Sequence, residues 1–267
     1  MAAMVPLAQP TRAPATPRVR TTILLVDDQR FVGLALARLL DGESAFELHC
    51  CERGVEALAT ADRVRPDLIL QDLVMPDANG LELVQTFRQR AATSATPVIV
   101  LSGNDDDATR LRALAAGAAD YLVKLPTKDV LIACLTRQLS DAPGPVARVE
   151  TSGPPDSEAP LDADVLASYR DDGAEDPNET VRPLVGIFLA DSSALAARLR
   201  AAVAANDVAE LARVAHALKG CAMAVGARPL AALSAKLESG RDADASGVAR
   251  LEEEIERVKG ACGRALT

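Results

Sequence analysis

Between residues 21 and 140 the chain alternates short apolar runs with stretches whose apolar residues recur every three or four positions. TTILLVD, FELHC, DLILQD, PVIVLS and DYLVK read as strands. The stretches between and after them, 29–40, 53–64, 80–91, 105–116 and 127–139, are amphipathic at the helical period. Five strands alternating with five helices predict an α/β doubly wound parallel five-stranded sheet. The unbroken apolarity of ILLV and VIVL predicts that both faces of that sheet are covered.

From residue 161 onward the strand-type alternation is gone. Leu195, Leu199 and Val203, and again Leu251, Ile255 and Val258, keep to helical spacing. Breaks fall at Asn206-Asp207, at Gly226 to Pro229 and at Gly240 to Gly247. This half therefore reads as an all-α four-helix bundle, up-and-down, over 161–267. Two segments carry no period. Residues 1–20 contain four prolines and read as a disordered leader, and residues 141–160, DAPGPVARVETSGPPDSEAP, read as a flexible linker. Residues 21–140 and 161–267 are then separate domains.

Composition narrows the picture. Hydrophobic residues are 49% and charged residues 25% of the chain, as in soluble globular proteins. A net charge of −9 without a Lys/Arg cluster argues against nucleic-acid binding. No apolar run approaches the length of a membrane span, and the leader lacks the apolar centre of a secretory signal, so a cytoplasmic protein without membrane insertion is expected. Cys50, Cys51, Cys134, Cys221 and Cys262 are odd in number and form no CxxC pair, as expected of reduced thiols.

The candidate chemistry lies at the strand ends. Asp27 and Asp28 end the first strand, Asp72 the third, Ser102 the fourth and Lys124 the fifth. In an open parallel sheet the carboxyl ends of the strands form the ligand crevice, so these groups converge. Acids and serines are common in such loops, but five in register point to a site. Clustered carboxylates repel one another unless a cation compensates, and an all-oxygen set favours a hard cation, Mg²⁺ where phosphate is also bound. A carboxylate can also attack phosphorus, giving an acyl phosphate.

ILLVDDQR, LILQDLVMPDANGLEL, VIVLSG and DYLVKLP resemble the receiver domain of two-component response regulators over about residues 21–140. The resemblance implies that Asp72 accepts a phosphoryl group and that Asp28 and Asp72 bind Mg²⁺ directly. Asp27 would bind it through water, and the main-chain carbonyl of Val74 would complete the shell. Ser102 and Lys124 would hold phosphoryl oxygens, and Tyr121 would be an aromatic switch that turns inward after phosphorylation. Receivers commonly place proline directly after the lysine; here Leu125 intervenes before Pro126.

The second half holds one of the two histidines, His216; the other, His49, sits in a strand-like run without a partner motif and reads as structural. On a helical wheel Leu211, Val214, Ala215 and Leu218 share the core face, and His216 points away from it, beside Lys219 and Gly220. An exposed imidazole suits nucleophilic attack on phosphorus near neutral pH, Lys219 supplies positive charge, and Gly220 lets a partner approach closely. Ala215-His216, Leu218-Lys219-Gly220, Gly226-Ala227 and Leu237-Glu238 resemble the signature of a histidine phosphotransfer (HPt) domain, with His216 as its phosphoacceptor. Together the halves imply a phosphorelay protein that is not itself an ATP-using enzyme, with sensor histidine kinases and other receivers as partners. A phosphate sink and a non-catalytic scaffold are the alternatives. A linker of about twenty residues spans roughly 25 Å, enough for His216 to reach Asp72 of the same chain.

Overall fold

A computed structural model of the chain describes residues 20–103, 107–124, 126–140, 159–170 and 176–266. The segments expected to be leader and linker, and Leu125, lie outside the described residues, apart from the first segment's last residue and the second's last two.

The first half is the predicted sheet. Strands β1 (Thr21–Val26), β2 (Phe46–Cys51), β3 (Leu68–Asp72), β4 (Val98–Ser102) and β5 (Asp120–Val123) lie in the order β2-β1-β3-β4-β5, and every neighbouring pair is parallel. Helices α1 (Arg30–Leu39), α2 (Ala57–Val64), α3 (Gly80–Gln89), α4 (Asp107–Ala115) and α5 (Lys128–Leu139) connect or follow them. The predicted helix at 53–64 begins instead with a single 3-10 turn at Gly54–Glu56.

The strand period of two divides the core. Ile23, Leu25, Leu68, Leu70, Ile99 and Leu101 point to one face, where α1 and α5 pack. Leu24, Val26, Ile69, Val98 and Val100 point to the other, against Ala57, Ala61, Val84, Phe87 and Ala113 of α2, α3 and α4. Because β1, β3 and β4 have both faces covered, a polar residue on them can be wet only at the strand end.

The second half is helical. A short α6 (Ala163–Ala167) precedes α7 (Val181–Ala204), α8 (Val208–Ala224), α9 (Arg228–Glu238) and α10 (Ala245–Ala265). The four long helices end where the breaks were predicted. Asp207 caps α8 by accepting from the Glu210 amide at 2.9 Å, and Asp244 caps α10 by accepting from Gly247 at 2.8 Å. Gly226 takes a φ of +76° between α8 and α9, a turn that favours glycine, and its carbonyl accepts from the Asp162 amide at 2.9 Å. That bond ties α6 to the bundle.

Phe188 of α7 is fully buried among Leu184, Leu199, Leu211, Leu218, Leu251 and their neighbours in the bundle core. Phe188→Ala should therefore lower the stability of the bundle by about 3–5 kcal/mol. A fall in the urea midpoint of the helical circular-dichroism signal is the measurement that checks it.

Candidate functional site

The register of the sheet assembles the site. Val26 pairs with Gln71, Asp72 with Leu101, and Ser102 with Val123, so residues 27 and 72 stand level, with 102 one and 124 two positions further toward the carboxyl edge. All four are buried. Lys124 Nζ lies 3.0 Å from Asp27 Oδ2 and 2.8 Å from Asp72 Oδ2. The backbone fixes the other oxygens: Asp27 Oδ1 accepts from the Gln29 amide at 2.9 Å and Asp72 Oδ1 from the Val74 amide at 3.2 Å.

The charges do not balance inside this pocket. Burial alone would lower the pKa of Lys124, but Asp27 and Asp72 overcome it and hold the ammonium well above its usual range. One ammonium serves two carboxylates, so burial pushes Asp27 up, Lys124 opposes the shift and Asp72 adds to it. Asp28 is also raised, by burial and then by Asp72. Asp27, Asp28 and Asp72 each offer a carboxylate oxygen within 4.8 Å of the others, and the buried Asp28 Oδ1 has no hydrogen-bond partner among the described residues. Uncompensated negative charge on an all-oxygen donor set fits a divalent cation.

The loop after Asp72 is held by backbone contact. The Gly80 amide donates to the Leu73 carbonyl at 3.2 Å, and Val74 bridges Asn79 across the turn. Asn79 caps α3, accepting from Leu81 at 3.0 Å. A Cβ on Gly80 would stand 2.2 Å from the Asp72 carbonyl and 2.5 Å from Leu73 Cα, where only backbone could give way. Tyr121 is buried against the α2–α4 face, so its ring is already inward. His49 lies on edge strand β2 and pairs with Glu47 at 3.1 Å.

On the bundle, His216 and Lys219 of α8 both meet Glu238, the last residue of α9. His216 Nδ1 is 2.6 Å from Glu238 Oε1, and Lys219 Nζ donates to Oε2 at 2.6 Å. Burial would raise the Glu238 pKa, but the hydrogen bonds from His216 and Lys219 outweigh it and hold the carboxyl below its usual value. An ionised carboxylate can only accept, so Nδ1 carries a proton, and Nε2 is the nitrogen left to offer a lone pair in the neutral tautomer. Glu238 was visible in the sequence only as part of the Leu237-Glu238 pair. The reading of His216 as exposed is corrected: it is 6% accessible and Lys219 is 3%, because the sheet half lies over them. The wheel could not show this, since the covering residues are more than a hundred positions away. Gln29 and Gly103, which also shape the site, carry no sequence signal beyond standing beside its acids and serine, and Gly80 none beyond its place in LILQDLVMPDANGLEL.

The family described as response regulator receiver domain matches residues 23–136. Protein PilH of Pseudomonas aeruginosa is 30% identical over 118 residues, 44% of this chain and 97% of PilH. This chain belongs to the response regulator receiver family. The family described as Hpt domain matches residues 183–261, so an Hpt domain follows the receiver. The KDP operon transcriptional regulatory protein KdpE of Escherichia coli is 40% identical over 106 residues, 39% of this chain and 44% of KdpE. The DNA-binding response regulator MtrA of Mycobacterium tuberculosis is 30% identical over 165 residues, 56% of this chain and 71% of MtrA. The chain spans less than half the length of KdpE. Among solved structures, chemotaxis response regulator CheY4 of Vibrio cholerae is 29% identical over 45% of this chain and 99% of that one, with a TM-score of 0.42.

Gly80→Ala should distort the receiver loop and cost about 1–3 kcal/mol or more, because the obstacle is backbone; chemical denaturation of the full chain measures it. Glu238 makes a pH-dependent contribution of definite sign. Its folded pKa is depressed from 4.5, so its stabilisation is complete above about that pH and is lost as the pH falls through the folded value. Urea midpoints measured across that range should fall less steeply for Glu238→Gln than for wild type.

Proposed function

We propose that this chain is a phosphorelay protein of the cytoplasm, in which Asp72 of a receiver spanning 21–140 and His216 of an Hpt domain spanning 161–267 carry phosphoryl groups. The observation that carries this reading is Lys124, buried and bridging Asp27 and Asp72 at 3.0 and 2.8 Å at the edge of the sheet. A structural role alone gives no reason to bury two carboxylates against one ammonium, since such clusters are costly. Transfer of a charged phosphoryl group does give one.

In the receiver, an Asp72 oxygen attacks phosphorus. The bond from phosphorus to the donor breaks, and its electron pair leaves with the donor. Lys124 and Ser102 meet the charge on the moving oxygens. Asp27, Asp28, Asp72 and the Val74 carbonyl would hold Mg²⁺, which supplies further neutralisation of that charge when bound. Lys124 then exchanges one carboxylate partner for a phosphoryl oxygen, and Tyr121 is positioned to report the change to the α4–β5 surface. In the Hpt domain, Glu238 fixes the ring of His216 and Lys219 adds positive charge beside it. Sensor histidine kinases and other receivers are the expected partners, with no ATP chemistry in the chain itself.

Acetyl phosphate with Mg²⁺ should place a base-labile phosphoryl group on Asp72, and Asp72→Asn or excess chelator should reduce that label to background. Peptide mapping of the labelled full chain reads the outcome. Undiminished aspartyl label in the variant would overturn the assignment.

A further inference from the structure

The face of the Hpt domain that carries His216 is already occupied. Gly103, directly after Ser102, lies so close that a Cβ there would be 3.0 Å from Lys219 Cε and 3.6 Å from His216 Cε1. Gln29, directly after the acidic pair, fills the notch left by Gly220: a Cβ on Gly220 would come within 2.2 Å of Gln29 Oε1. Helix α1 packs along α7 and α8, and the apolar cluster on its face of the sheet runs without a break into the bundle core. The cleft between the halves is lined by Asp28 on the receiver side and, on the bundle side, by His216 and by Arg198 and Arg213, which both pair with Glu210.

We propose that the Hpt domain is the built-in docking partner of its own receiver. His216 and Asp72 then exchange a phosphoryl group within one chain, and the docked halves hide both sites from outside proteins until they part. This rests on the reading of Asp72 and His216 as phosphoryl carriers. In the step from Asp72, the Nε2 lone pair of neutral His216 attacks phosphorus. The bond from phosphorus to the Asp72 oxygen breaks, and its electron pair returns to the carboxylate. The Nδ1 proton stays on the ring, which becomes an imidazolium beside the Glu238 carboxylate, so total charge is unchanged; the reverse step retraces this path. A tethered, preseated partner acts at an effective concentration near millimolar, whereas an outside partner at micromolar concentration must first displace it.

The test uses full-length chains. Wild type labelled on Asp72 with radioactive acetyl phosphate is freed of donor and followed for acid-labile label on His216 from about 0.1 to about 10 µM protein. A second reaction mixes His216→Gln labelled on Asp72 with unlabelled Asp72→Asn, a pair that can transfer only between molecules. The expected result is a wild-type half-time independent of concentration. The pair should be at least about tenfold slower at micromolar concentration and should speed up as concentration rises. Gly220→Leu, which fills the notch, should slow transfer in the otherwise wild-type chain without reducing the label on Asp72. The wild-type concentration series alters no residue at all, so it decides even if that variant folds poorly. A wild-type rate that scales with concentration, or a pair as fast as wild type at the lowest concentration, overturns docking within the chain while leaving the phosphorelay reading intact. So does label that reaches His216 in the pair but not in the wild type. No label on Asp72 in any Asp72-bearing chain, or none on His216 in either reaction, overturns the phosphorelay reading itself.

Discussion

Three acids and one lysine at the end of a covered sheet set the terms for everything around them. Burial raises the pKa of Asp27 and Asp28, and the neighbouring Asp72 carboxylate adds to the effect. Lys124 relieves two of them but cannot relieve all three. The arrangement stands only because the rest of the fold over-determines it. β1, β3 and β5 end at one edge, and the amides of Gln29 and Val74 hold one oxygen each. An excess of buried negative charge is what a divalent cation or a cationic partner surface can relieve.

The loop behind Asp72 shows how strictly backbone limits side-chain choice. A seven-residue turn leaves β3, bridges Val74 to Asn79 and enters α3 at a glycine whose hydrogen faces the Asp72 carbonyl. Asp77 accepts from the Gly54 amide at 3.0 Å, joining this turn to the one after β2. The pocket floor is thus braced from the neighbouring loop rather than by its own short span.

The bundle solves the opposite electrostatic problem. The carboxylate of Glu238 stands between His216 and Lys219, pairing the ammonium and fixing the ring. Four buried thiols among the five cysteines take no part. Burial pushes Cys134 and Cys221 up to about 12 and Cys262 to about 11, which keeps them as inert apolar side chains.

The five alternating strands and helices, the two covered faces and the four long helices were legible in the sequence because each follows from a local period or a local break. Ala-rich helical spacing needs α7 to α10, and Asp207 and Gly226 end or start them by short-range bonds. The cluster of Asp27, Asp72, Ser102 and Lys124 was legible too, since parallel strands carry their carboxyl ends to one edge. Only tertiary structure could decide that Glu238 turns its carboxylate to His216, that Gln29 enters the space of Gly220, and that Gly103 covers Lys219. Those contacts join residues far apart in the chain, across surfaces whose polarity alone says exposed. A periodicity records which face of a helix avoids water; it does not record which other part of the molecule arrives to exclude water from the face that remains.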